Sequence, residues 1–250
     1  QKAVARLPQD TQAVTNLGRA FHDRRMYNEA LTAYRYALRL QPTLLQALLN
    51  LGAALRETGD LAGAEAQLRL ATRFHPSSPE AFNDLGVTLT AAGKLDGAYQ
   101  SLQRALALAP QHVMAMTNLG QALTKGRRHD LAAGVFDRAL AIQPDLAKAH
   151  LGRAHALWEL GLLEEAEASY RQALDREPND PVAELGLGTC LVDQGRIEEG
   201  LTHYQAAQAI ERNDLAVLPS MMFARQYLAT PQPLEWIHEA RAFGAAATAY

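Results

Sequence analysis

The sequence predicts an all-α solenoid built from antiparallel helix pairs, and three recurrences carry that prediction. Pro8, Pro42, Pro76, Pro110, Pro144 and Pro178 follow one another at 34-residue steps without a slip. The triplet Asn-Leu-Gly keeps the same ruler, beginning at Asn16, Asn50 and Asn118, with Asp84 holding the intervening place. Gly59, Gly93, Gly161 and Gly195 fall at a third fixed position. Self-similarity at such a period marks a stack of supersecondary units, none of which can bury its apolar face alone. No stretch alternates apolar and polar residues as a strand does.

Counting from just past each proline gives six repeats, at 11–44, 45–78, 79–112, 113–146, 147–180 and 181–214. Residues 1–10 read as the end of an upstream repeat, with Ala3 and Pro8 at its positions 27 and 32. Residues 215–250 break the period and are expected to form capping helices or a link to a further domain.

Each repeat holds two helices. The first opens at a capping residue, clearest at Ser78 before Pro79 and Asp180 before Pro181, where an N1 proline costs nothing and the cap oxygen satisfies an orphan N–H. Its positions 4, 7 and 11 form one apolar stripe: Val14, Leu17 and Phe21, then Leu48, Leu51 and Leu55, then Phe82, Leu85 and Leu89, then Met116, Leu119 and Leu123. The glycine at position 15 then supplies the positive φ that ends a helix. The second helix runs to the next proline. Small residues at position 8 (Gly18, Gly52, Gly86, Gly120, Ala154, Gly188) and position 20 let the two backbones approach. Large residues at position 24 (Tyr34, Leu68, Leu102, Phe136, Tyr170, Tyr204) and alanines at position 27 complete the pattern. Departures are His150, in a core slot at position 4, Glu184 at the same position, and Arg212 in place of the last proline.

Leu-Gly-x-x-large, then Ala-x-x-x-Phe/Tyr/Leu, then Pro at this period resembles the tetratricopeptide repeat across residues 11–214. The resemblance implies a right-handed superhelix whose first helices line a concave groove that binds protein segments. At 100° per residue, positions 4, 7, 8 and 11 cluster while positions 2, 6, 9 and 13 fall opposite. Asn16, Asn50, Asp84 and Asn118 are therefore expected to form a ladder along the groove, where amides that donate and accept suit an extended peptide backbone. The alternative is that they bridge neighbouring repeats. The ladder stops at Gly152 and Gly186. Arg19, His22, Arg56, Asn83 and Gln121 extend the polar surface, and His155 and Trp158 are groove candidates in the fifth repeat, aromatic and arginine side chains being common anchors.

Other chemistries find little to stand on. Lys and Arg number 24 against 27 Asp and Glu, a net charge of -3, so neither nucleic acid nor an anionic membrane is favoured. No apolar run approaches the roughly 20 residues of a membrane helix. The single cysteine, Cys190, excludes an internal disulfide and fits a reducing compartment, the cytoplasm being the expected location. Cys190 shares position 10 with Ala20, Ala54, Ala122 and Ala156, so it reads as small packing. His150 and His155 are not paired i, i+4, and "HEARA" from His238 lacks the second histidine of a zinc protease, so no metal is expected. No phosphate loop or catalytic constellation is present, so no cofactor is expected and the chain does not read as an enzyme by itself.

The tail "PSMMFARQYLATPQPLEWIHEARAFG" resembles the junction that follows the repeats in bacterial O-linked N-acetylglucosamine transferase-like, SPINDLY-like, proteins. Ser220, Met221, Met222, Phe223, Tyr227, His238, Phe243 and Gly244 carry that likeness. It implies an acceptor-recruiting arm preceding a glycosyltransferase region that 36 residues cannot hold. The alternative is a stand-alone scaffold for a multiprotein complex, its apolar end capped by Met221, Met222, Phe223 and Trp236. A third expectation is self-association through an unpaired helix at residues 1–10.

Overall fold

The computed structural model describes residues 10–210 and 217–225. These are α-helical, without a strand among the described residues, and the chain divides into two compact units, residues 1–127 and 128–250. The first unit holds α1 (Thr11–Asp23), α2 (Tyr27–Leu40), α3 (Leu45–Glu57), α4 (Leu61–Phe74), α5 (Pro79–Ala91), α6 (Leu95–Leu108) and α7 (Val113–Lys125). The second holds α8 (His129–Ile142), α9 (Ala147–Glu159), α10 (Leu163–Arg176), α11 (Pro181–Asp193), α12 (Ile197–Ile210) and α13 (Val217–Arg225). Within each unit consecutive helices pack as hairpins, the solenoid architecture that the period predicts.

Local chemistry places the helix ends. Asp10, Ser78 and Asp180 cap α1, α5 and α11 through their side-chain oxygens, and Pro79 and Pro181 stand in the first helical turn. His112 caps α7 with Nδ1, which accepts from the Ala115 N–H at 3.2 Å. The first helices end in turns where Gly59, Gly93, Gly161 and Gly195 have φ between +74° and +84°. Arg25 and Arg127 take the same turn at φ 58° and 57°, a conformation that costs a residue with a Cβ roughly 1–2 kcal/mol. The second helices stop because of the prolines. Gln41, His75, Ala109, Gln143 and Glu177 each precede one and are pushed to φ between -126° and -139°.

Glycine at position 8 is required by contact. A methyl group on Gly52 would lie 2.7 Å from Leu68 Cγ, one on Gly18 2.5 Å from Tyr34 Cε1, and one on Gly188 2.7 Å from Tyr204 Cδ1. Tyr34, Leu68, Leu102 and Tyr204 at position 24 thus lie against the bare backbone of their own repeat's first helix. Val14, Leu48, Leu51 and Leu55 are buried beside the position-20 and position-27 alanines. Leu17 is a correction: at the open end of the described stack it is 37% exposed, because no described helix precedes α1 to cover it.

His150 is a second correction. It does not enter the core; it is half-buried, with Nε2 2.8 Å from the Pro144 carbonyl oxygen. Glu184, at the same position of the sixth repeat, contacts His203 Nδ1 on α12 at 2.7 Å. Past α12, Met221 and Ala224 of α13 are buried against Leu201, Tyr204 and Ala207. Residues 1–9, Trp236 and the resemblance residues Tyr227, His238, Phe243 and Gly244 lie outside the described residues.

Two buried glutamates bind successive repeats together. Glu65 on α4 pairs with Arg69 one turn along and with Lys94 Nζ, at 2.8 Å, in the turn of the next repeat. Glu167 on α10 occupies the same repeat position and pairs with Arg171 and with Arg196 Nη1 at 2.7 Å. Hydrogen bonding from Lys94 outweighs burial and holds the Glu65 carboxyl below the usual range. Burial pushes the Glu167 carboxyl up, but Arg196, Gln194 and Arg171 together bring it below the ordinary value.

Candidate functional site

The first helices of the first unit lie side by side, α1 on α3, α3 on α5 and α5 on α7. Asn16 and Arg19 on α1 and Gln121 on α7 are exposed, and their side chains make no hydrogen bond or ion pair among the described residues. Between these ends the polar groups are engaged with one another. Asn50 is half-buried and accepts from Gln46 Nε2 at 2.9 Å. Asn118 Nδ2 donates to Asn83 Oδ1 at 2.8 Å, and Asn83 Nδ2 donates to Asp84 Oδ1 at 3.1 Å. Arg56 reaches toward Thr88 Oγ1 at 3.5 Å, and Lys125 Nζ donates to the Thr90 carbonyl oxygen at 2.8 Å.

Both readings of the asparagines therefore have a place. Asn16 has no side-chain partner among the described residues, whereas Asn118 spends its amide on the neighbouring repeat. Asp84 sits between them electrostatically: burial pushes its carboxyl up, opposed by the Asn83 hydrogen bond and the Arg56 charge. His22 does not join the row. Its ring is half-buried edge-on to Tyr27, with centroids 5.5 Å apart, and its Nε2 is buried without a partner among the described residues.

Position 6 has a different surrounding in the second unit. A methyl group on Gly152 would strike the Phe136 ring and one on Gly186 the Tyr170 ring, so these glycines face the preceding second helix and not open space. The ladder ends there because no side chain fits. On α9, His155 is exposed with its ring 5.9 Å from that of Trp158, whose Nε1 donates to Asp193 Oδ2 on α11 at 2.7 Å. Glu159 lies between two histidines, 3.8 Å from His129 Nε2 and 4.0 Å from His155 Nε2. The covered half of the His155 ring is desolvated, which pushes its imidazole down, with Glu159 opposing.

Lys125, Glu159 and Asp193 share position 13, and sequence reasoning placed that position on this face without singling out its charged occupants. Their signal was the angular count itself. Among the described residues no group of three or more His, Cys, Asp and Glu is arranged to hold a metal ion, and no helix is long and apolar enough to cross a membrane. Cys190 is buried, its thiol donating to the Leu163 carbonyl oxygen at 3.2 Å and pushed up by burial. The first unit offers amides and guanidinium groups and the second an indole, groups that can hold a ligand by hydrogen bonds and stacking.

The tetratricopeptide repeat family model matches residues 15–79, 83–147 and 151–214. The chain belongs to this family. Among solved structures, it is similar to a chain of the APC/C hetero-tetramer Cut9–Hcn1, at 18% identity and a TM-score of 0.79, over 89% of this chain and 44% of that one. The tetratricopeptide chain thus spans less than half the length of that relative. A thermophilic tetratricopeptide repeat protein of Thermus thermophilus is 26% identical with a TM-score of 0.62, covering 72% of this chain and 98% of its own. YrrB, a tetratricopeptide repeat protein with an unusual peptide-binding site, is 19% identical with a TM-score of 0.58, over 76% and 98%. No curated protein sequence matches the chain.

Proposed function

We propose that the chain is a tetratricopeptide scaffold of the cytoplasm that holds extended protein segments against its first helices and does no chemistry on them. The observation that carries this reading is the polar row from Asn16 and Arg19 through Asn50, Asn83, Asp84 and Asn118 to Gln121, set on four first helices that lie side by side. His155 and Trp158 supply a stacking anchor on the second unit. An extended peptide leaves its N–H and C=O groups unpaired, and amides on parallel helices can satisfy both. The relatives lend support in kind: one is part of a hetero-tetramer and another has a peptide-binding site. The narrower reading, an arm recruiting acceptors for a glycosyltransferase, rests on the tail resemblance alone, and Met221 lends itself equally to capping α12.

Alanine variants separate binding from structure. Asn16→Ala should leave stability unchanged and weaken a bound peptide by roughly 0.5–1.5 kcal/mol for a lost net hydrogen bond. Asn118→Ala should lower stability, because it strips Asn83 of its donor. The measurement is photo-crosslinking of the pure chain to a random extended-peptide library, followed by calorimetry on the peptides recovered. Peptides that bind Asn16→Ala and wild type equally would remove Asn16 from the site, and crosslinks confined to the second helices would overturn the reading.

A further inference from the structure

We propose that the chain associates head to tail with a second copy of itself: a groove flanked by arginines between α2 and α4 of one copy receives the acidic, leucine-bearing turn that opens α10 of the next. The charge distribution points to this pairing first. Residues 1–127 carry 14 Lys and Arg against 9 Asp and Glu, and residues 128–250 carry 10 against 18, net charges of +5 and -8 that the total of -3 conceals. Complementary fields of this kind select partners and orient their encounter.

The groove is built to take such a group. It is an open cavity of about 380 Å³ with Leu38, Leu51 and Leu55 at its floor and Arg35 and Arg39 on one side. Arg35 is exposed and makes no ion pair among the described residues, and Arg39 lies over the Tyr36 ring at 5.3 Å, which holds its guanidinium in place. Asp60 on the other side is occupied, accepting the Gly63 N–H at 2.8 Å. On α4, Arg73 repeats the position of Arg39 one repeat later and is likewise exposed. The groove lies among second helices, away from the polar row of the first helices.

The complementary turn is "LGLLEE". Leu160 and Leu162 are 43% and 44% exposed, and the Glu164 and Glu165 side chains are exposed and make no ion pair among the described residues. Leu162 is the N-cap of α10 and makes no capping hydrogen bond, so a leucine there contributes nothing to capping the helix. Apolar and acidic groups side by side match an apolar floor beside two guanidinium groups, with carboxylate–arginine pairing fixing the register. Because the two surfaces differ, the contact is heterologous and each pair of copies keeps one free groove and one free turn.

The test is sedimentation velocity over a concentration series at low and high salt, with the variants R35E/R39E and E164R/E165R. Wild type should form species that grow with concentration and dissociate in salt. Each variant alone should associate about tenfold or more weakly, and a 1:1 mixture of the two should regain salt-sensitive association, since the acidic turn of one meets the basic groove of the other and the reversed charges complement one another as well. Leu162→Ser supplies a better cap, so it should weaken association while the thermal melt holds or rises. R35Q/R39Q keeps the test open if charge reversal unfolds α2. Wild type that stays monomeric at every concentration, variants that associate like wild type, or a mixture that stays monomeric would each overturn the proposal. Peptide binding to the first helices is a separate readout, so either idea can fail without the other.

Discussion

Replacing a mid-helix glycine with alanine sets helix propensity against packing, and two glycines of this chain should answer with opposite signs. Intrinsic propensity favours alanine by about 1 kcal/mol in both cases. Gly134 on α8 faces open space, with no atom within 4 Å of the added methyl, so Gly134→Ala should gain that amount. At Gly52 the methyl would lie 2.7 Å from Leu68 Cγ and 2.9 Å from Leu68 Cδ2, well inside the ~3.5–4.0 Å of an optimal carbon contact. Leu68 is fully buried and cannot swing away. Overpacking of this kind costs about 1–3 kcal/mol, so after the propensity gain Gly52→Ala should destabilise by about 0–2 kcal/mol.

Leu68→Ala alone should cost about 2–5 kcal/mol for the cavity it leaves. The double variant Gly52→Ala/Leu68→Ala should cost less than the sum, because the second change removes the atoms that the first one strikes, with a coupling of about 0.5–3 kcal/mol. Urea unfolding followed by circular dichroism, with hydrogen exchange to localise the effect to α3 and α4, reads all four proteins. A stabilised Gly52→Ala, or strict additivity in the double variant, would show that the position-8 glycines are not held by the position-24 side chains.

Three further outcomes follow from backbone and charge. Arg25→Gly and Arg127→Gly relieve positive φ worth roughly 1–2 kcal/mol against a glycine entropy cost of roughly 0.5–1 kcal/mol, so each should raise the urea midpoint slightly, and a fall would mean that the arginine side chains themselves hold the turns. Asp84 has its folded pKa raised, so the native state binds its proton more readily than the unfolded chain, and its contribution is fully present below about pH 3.9 and lost as pH rises through the folded value. Asp84→Asn should therefore stabilise the chain at neutral pH and lose that advantage in acid; an advantage constant with pH would refute the burial account. Glu65 has its folded pKa lowered, so its contribution is present above about pH 4.3 and lost as pH falls through the folded value. Glu65→Gln should flatten the acid limb of the stability profile, and Lys94→Met should flatten it in part; an unchanged limb would remove Glu65 from the clamp.

The period, the helix pairing, the glycine turns and the Ser78 and Asp180 caps were legible in the sequence because each follows from the chemistry of one residue and its near neighbours. Proline stops a helix, glycine takes positive φ, and a small residue opposite a large one marks a close crossing wherever the helices finally lie. At position 13, Lys125 and Asp193 reach neighbouring first helices at Thr90 and Trp158, whereas Glu159 lies near His129 of a second helix.

What only the tertiary structure decided are the partners of polar groups, since a hydrogen bond between repeats joins residues some 30 positions apart and depends on distances that no local rule supplies. Asn16, Asn50 and Asn118 sit in identical triplets, yet among the described residues one has no partner, one binds its own helix and one binds Asn83. Glu65 and Glu167 look like surface charges until the next repeat's turn brings Lys94 and Arg196 against them. Gly152 and Gly186 look like gaps in a ladder until the Phe136 and Tyr170 rings fill the space. The repeat determined that the helices stack; the side chains meeting across each stack determined which copies of one residue join the repeats and which do not.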